Sequence, residues 1–188
     1  METVSEQEAI ERCQRGDLAG FAVLYDSYVK KIYNFVYYKT MHRETAQDLT
    51  SQTFLKAVKN IGSFNAAKGS FSSWLYRIAR NTVIDYYRTK KTETNIEDAW
   101  DLHTDDDVER DIDTVRQLEQ VQTYLKKLPS EQRDIVILRV WEGLSYREIA
   151  AIVGKSEAGC KMSFFRTIAK LRNENLIALL LLLTIKLV

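Results

Sequence analysis

Apolar positions recur at helical spacing along most of the chain, and no long run alternates as a half-buried strand does. "SEQEAIERCQRG" (5–16) offers Ser5 as an N-cap, Glu8 three residues on as its capping-box partner, and Gly16 as a stop. "LAGFAVLYDSYVKKIYNFVYYK" sets Phe21, Leu24, Tyr25, Tyr28, Ile32, Phe35 and Val36 on one stripe. "RETAQDLTSQTFLKAVKNI" sets Ala46, Leu49, Phe54, Ala57 and Val58 on another, leaving Asp48, Ser51 and Gln52 toward solvent. A glycine-bracketed loop, "GSFNAAKGS" (62–70), leads into a fourth helix whose core stripe is Leu75, Ile78, Ala79, Thr82 and Tyr86.

A second helical group follows at 128–172. Pro129 and Ser130 open a helix with Arg133 beside Asp134 and Ile135, Val136, Leu138 and Val140 along it, and Gly143 ends it. Ser145 and Glu148 form a capping box, with Leu144 able to staple onto Ile149, and that short helix stops at Gly154. Ser156 caps the next helix, in which Cys160, Phe164, Ile168 and Leu171 face inward. A short helix, a glycine turn and a second helix make a helix-turn-helix, whose second helix fits a DNA major groove. The plainer alternative is a three-helix packing module with no nucleic acid.

Composition adds that 188 residues with 45% apolar content, one Pro and seven Gly suit one or two small all-α domains. Cys13 and Cys160 form no CxxC unit and the N-terminus is polar, so a reduced cytoplasmic chain without a secretory leader is expected. The net charge of +1 averages three blocks of opposite sign. Lys68 to Lys91 holds six basic residues against Asp85; Glu93 to Asp113 holds ten acids against Arg110; 121–175 holds ten basic residues against six acids. The middle block is poor in apolar residues and self-repelling, which predicts an extended linker. The boundaries expected are 1–92, an acidic linker 93–120, a second domain 121–175, and an apolar tail 176–188.

Two faces carry candidate chemistry. On the fourth helix Arg77, Asn81, Ile84 and Arg88 recur along one side, with Arg80, Tyr87 and Lys91 alongside. Guanidinium forks suit phosphates and planar rings suit unstacked bases; the bland reading is an ordinary core of aromatics with a solvated basic face. On the last helix Glu157, Ala158, Lys161, Met162, Phe165 and Arg166 are left outward. There Lys161 and Arg166 can take phosphate or guanine, and Met162 and Phe165 can touch a thymine methyl. His42 and His103 are isolated and no phosphate-binding glycine loop is present, so no catalytic residue, metal or cofactor is expected.

"DLTSQTFLKAVKNI", "GSFSSWLYRIARNTVIDYYRTKK" and "LPSEQRDIVILRVWEGLSYREIAAIVGKS…IAKLR", in this order, resemble bacterial RNA polymerase sigma factors of the sigma-70 family, extracytoplasmic-function (ECF) type, over roughly residues 17–172. The resemblance implies a region 2 domain and a region 4 domain that direct promoter-specific transcription initiation. It implies that Asp48, Ser51 and Gln52 contact the β′ clamp helices of core RNA polymerase. Ser51 and Gln52 stand where the family usually has Gln and an acid. It further implies that Phe64, Asn65, Lys68, Ser70, Trp74, Arg77, Arg80, Asn81 and Arg88 hold the melted −10 strand with one base flipped. Ser156, Lys161, Met162, Phe165 and Arg166 then read the −35 element, with Gly159 and Ser163 replacing the more usual helix-stiffening and phosphate-binding residues. The partners implied are core polymerase (β′ clamp helices and β flap), promoter DNA and an anti-sigma factor, with no small-molecule substrate. The acidic linker either threads the cationic RNA path of the polymerase or is a solvated spacer.

"LIALLLLLTIKLV" (176–188) is apolar all round. As a helix it reaches about 20 Å, short of a bilayer core of about 30 Å, so membrane contact is not the expected role. The rival to a sigma factor is a stand-alone helix-turn-helix regulator, which leaves the aromatic and basic helix and "DLTSQTF" without a task.

Overall fold

The computed structural model describes residues 4–93 and 123–173, with side chains for 4–90 and 123–171. The expected acidic linker, apart from Glu93, and the apolar tail lie outside the described residues. The chain divides into two compact units, Met1–Leu102 and His103–Val188, and all regular structure among the described residues is helical.

The first unit holds α1 (Glu6–Gln14), α2 (Ala19–Thr40), α3 (Arg43–Asn60), two 3-10 turns (Ile61–Ser63 and Ala66–Lys68) and α4 (Phe71–Glu93). Helix α1 starts where the Ser5 Oγ accepts the Glu8 amide at 3.2 Å, satisfying one of the orphan donors of a helix start. Its approach to α2 is possible because residue 20 is glycine: a Cβ there would lie 2.6 Å from the Ala9 carbonyl oxygen. Along α2, Leu24, Tyr28, Ile32, Phe35 and Val36 are buried as their spacing predicts. Tyr25 does not join them. It is 43% exposed, one residue round the helix from Leu24, and its ring meets the edge of Phe54 at 4.8 Å between centroids. Phe21 is half-buried against the same ring.

Met41, at φ 52, closes α2 in the left-handed region, and His42 caps α3 by accepting the Thr45 amide at its Nδ1 at 3.1 Å. Ala46, Leu49, Phe54 and Ala57 of α3 are buried and Val58 is half-buried. Helix α4 packs against both α2 and α3, so it buries more than one stripe. Leu75, Ala79 and Thr82 are inside as expected, but so are Tyr76 and Val83, while Ile78 and Tyr86 are only half-buried. Tyr76 meets Phe35 edge to face at 5.4 Å.

The second unit consists of a short helical run at 123–127, then α5 (Ser130–Val140), α6 (Tyr146–Val153) and α7 (Glu157–Asn173). Helices α6 and α7 both pack on α5, so Ile135, Val136, Ile137 and Leu138 are buried consecutively rather than on one stripe. Arg133 is buried with them, and its Nη2 donates to the carbonyls of Lys126 (2.9 Å) and Leu128 (3.2 Å), tying down the end of the preceding helical run. The capping box on α6 is complete: Glu148 N donates to Ser145 Oγ at 3.3 Å and Ser145 N donates to the Glu148 carboxylate at 2.9 Å. Gly154, at φ 77, ends α6, and the turn is pinned to α5 by Lys155 and Glu131 at 2.7 Å. On α7, Cys160, Thr167 and Leu171 are buried, and Phe164 and Ile168 are half-buried. Cys160 and Cys13 are free thiols inside their respective cores, and burial pushes both above the usual thiol range.

Candidate nucleic-acid interface

Arg77, Asn81, Ile84 and Arg88 lie exposed along one side of α4. The face is cationic but carries an acid of its own. Asp85 pairs with Arg88 at 3.1 Å and with Lys56 of α3 at 3.7 Å, and Lys56 also donates to Thr82 Oγ1 at 3.1 Å. Arg80 and Tyr87 are half-buried, so they edge this face rather than form it. The Tyr87 hydroxyl donates to the Lys39 carbonyl at 3.4 Å.

The loop ahead of α4 is built around an aromatic cluster. Phe64 is 8% exposed, and its ring lies 5.6 Å from both Phe71 and Trp74, with Tyr28 on the far side of Phe71 at 5.6 Å. In this structure the Phe64 ring anchors the loop through these contacts. Trp74 is half-buried in the same cluster. Asn65, Lys68 and Ser70 are exposed above it. The Asn65 Oδ1 accepts the Ala67 amide at 2.9 Å, and Ser70 caps α4 by accepting the Ser73 amide at 3.2 Å. A side chain that the sequence reading passed over reaches this loop: Gln14, at the end of α1, donates to the carbonyls of Ile61 and Phe64. Helical periodicity carries no sign of it, because its partners lie 47 and 50 residues away.

Asp48, Ser51 and Gln52 are exposed together on α3. Leu55, at 60% exposure, continues their face by one turn. In the second unit Ser156, Lys161, Met162, Phe165 and Arg166 are exposed on α7, with Met162 and Phe165 more than half open to solvent at 54% and 56%. The Ser156 hydroxyl caps α7 through the Gly159 amide at 3.1 Å. Behind this face, Arg139 lies 4.8 Å from the Tyr146 ring centroid and donates to the Leu144 carbonyl at 2.8 Å, which fixes the turn leading into α6. The α3, loop and α4 residues therefore share one unit, and the α7 residues belong to the other.

Among the described residues no group of three or more His, Cys, Asp or Glu could hold a metal ion. Among those residues no helix is long and apolar enough to cross a membrane.

Comparison with known proteins gives the same pattern of two parts. The profile for Sigma-70 region 2 matches residues 24–93, and that for Sigma-70, region 4 matches residues 118–171. The chain is 34% identical over 171 residues to the ECF RNA polymerase sigma factor BldN of Streptomyces coelicolor, which covers 87% of this chain and 63% of BldN. It thus spans just under two thirds of that relative's length. It is 33% identical over 155 residues to RNA polymerase sigma factor YlaC of Bacillus subtilis, covering 80% of this chain and 89% of YlaC. Among solved structures, CnrH in complex with the cytosolic domain of CnrY matches with a TM-score of 0.69 at 21% identity, over 89% of this chain and 95% of that one. The sigma factor RpoE in complex with the anti-sigma factor NepR from Bartonella quintana matches with a TM-score of 0.66 at 23% identity, over 81% of this chain and 94% of that one. At those identities the likeness is one of fold. With both regions matched in order on one chain, this protein belongs to the sigma-70 family of RNA polymerase sigma factors, in its extracytoplasmic-function subfamily.

Proposed function

We propose that the chain docks on core RNA polymerase through Asp48, Ser51 and Gln52 of α3, holds the separated −10 strand on the 65–70 loop and α4, and reads the −35 duplex with α7. Unpaired DNA is a polyanion with open ring faces, so its binder needs charge and stacking surface together. Stacking is worth about 1–3 kcal/mol per base, enough to offset the few kcal/mol that extruding one base costs. Trp74 offers the stacking edge, Arg77 and Arg88 the phosphate contacts, and Asn65 and Asn81 the polar contacts to base edges. On α7, Lys161 and Arg166 supply phosphate or guanine contacts, and Met162 and Phe165 the apolar contact to thymine methyls. The β flap is the expected mooring of the second unit on the polymerase.

CnrH and RpoE are each seen with another protein, the latter an anti-sigma factor; for this chain an anti-sigma partner and a cytoplasmic location are part of the proposal. The polymerase supplies the bond-making chemistry, and the chain needs none of its own.

The observation that carries this reading is the exposed Arg77–Asn81–Arg88 face beside a loop nailed down by an aromatic cluster. Its test is reconstitution with core polymerase on a library of promoter fragments. The protein should co-elute with the core and produce run-off transcripts from a defined set of start sites, and Trp74→Ala should reduce strand opening more than closed-complex binding. Failure to co-elute, or transcripts with no defined starts, would remove the reading.

A further inference from the structure

The loop that precedes α4 is held at one residue by both its side chain and its backbone carbonyl. The Phe64 ring is wedged between Phe71 and Trp74. Gln14 Nε2 donates to the Phe64 carbonyl at 2.8 Å and to the Ile61 carbonyl at 3.2 Å. One primary amide nitrogen carries two N–H donors, so a single Gln can serve two carbonyls at once. With ring and carbonyl both fixed, the direction in which the chain leaves Phe64 is fixed too, and the next residue is Asn65, exposed at the start of the loop.

Gln14 can do this because α1 is itself immobilised. Gly20 admits the Ala9 backbone of α1 into close contact with α2, the Tyr28 hydroxyl donates to Glu6, and Arg12 pairs with Asp17 at 2.8 Å beyond the helix end. Helix α1 lies outside the 24–93 span that matches region 2, yet it reaches the part of that region proposed to meet DNA.

We propose that Gln14 is a positioning residue for recognition of the −10 strand: by bracing the Ile61 and Phe64 carbonyls from α1 it sets the orientation of the 65–70 loop before DNA arrives. This rests on the reading that the loop captures the strand. A loop held in one geometry offers its contacts only to the base that fits them, whereas a loop free to rearrange can adapt to a wrong base and lower the penalty against it. Releasing the two hydrogen bonds should therefore reduce discrimination between the preferred base and its substitutes by about tenfold.

The test uses full-length protein with core polymerase. Gln14→Met keeps the length of the side chain and removes both donors; Gln14→Glu keeps its shape and turns an acceptor toward two carbonyls. Strand opening is measured on a promoter and on versions with each −10 base changed in turn, together with core affinity, −35 duplex affinity and the melting midpoint. The expected result is a discrimination ratio about tenfold lower for Gln14→Met and lower still for Gln14→Glu, with core and duplex affinities at parent values. In an Asn65→Ala background, Gln14→Met should add nothing further to the ratio. A parent-like ratio in Gln14→Met overturns the inference, as does an equal further loss in the Asn65→Ala background or a loss matched by core affinity. If the parent itself shows no base preference in the −10 element, the strand-capture reading falls and this inference with it.

Discussion

Asp85 is the acid on the cationic side of α4, with its carboxylate shared between Arg88 and Lys56 at 3.1 and 3.7 Å. All three side chains are well exposed, so the pairs contribute little to folding, and their effect falls mainly on binding. A phosphate approaching Arg88 must compete with a carboxylate already there. Asp85→Asn should therefore raise affinity for single-stranded DNA several-fold at low salt and steepen its salt dependence; titrations at several ionic strengths would show it, and an unchanged slope would mean that Arg88 meets no phosphate. Periodicity alone revealed the side of α4 that faces solvent, because Arg77, Asn81, Ile84 and Arg88 repeat along one line. It did not reveal that Phe64 is an anchor, that Tyr25 is exposed, or that Gln14 matters. Tyr25 and Gln14 meet partners tens of residues away, and Phe64 meets Phe71 and Trp74 across a turn; spacing along one helix reports only that helix.

Among the helices, the contact between α1 and α2 is the tightest constraint that a single residue satisfies. Gly20→Ala would place a methyl 2.6 Å from a backbone oxygen and 3.1 Å from the Arg12 Cβ, and the helices must separate to admit it. The expected cost is about 1–3 kcal/mol, read as a lower denaturant midpoint, and α1 should lose amide-exchange protection first. The caps at Ser5 in the first unit and at Ser145, Gly154 and Ser156 in the second were all legible, since cap chemistry is local and each has its partner within three or four residues. The burial of α5 was not. Ile135 to Leu138 are enclosed on several sides because α6 and α7 both lean on α5, an arrangement that belongs to three helices together.

At the scale of the molecule, each of the two units has its own core, centred on Leu24, Ile32, Phe35, Leu49, Leu75 and Tyr76 in one and on Leu125, Ile135, Ile137, Leu138, Ile149 and Leu171 in the other. A fragment spanning 118–173 should therefore fold alone, with a helical circular dichroism spectrum and a cooperative melt, although so small a core leaves it only a few kcal/mol stable. A broad, non-cooperative melt would show that its core needs the rest of the chain. The two-part plan was legible because the charge blocks change sign between the parts. One further consequence follows from those cores. The chain's two thiols sit one in each, both shielded from solvent and both less acidic than a free cysteine. A peroxide or electrophile will thus find neither thiol at the surface of the folded polypeptide, so a response to oxidants that runs through cysteine calls for a reactive sulfur carried on another molecule.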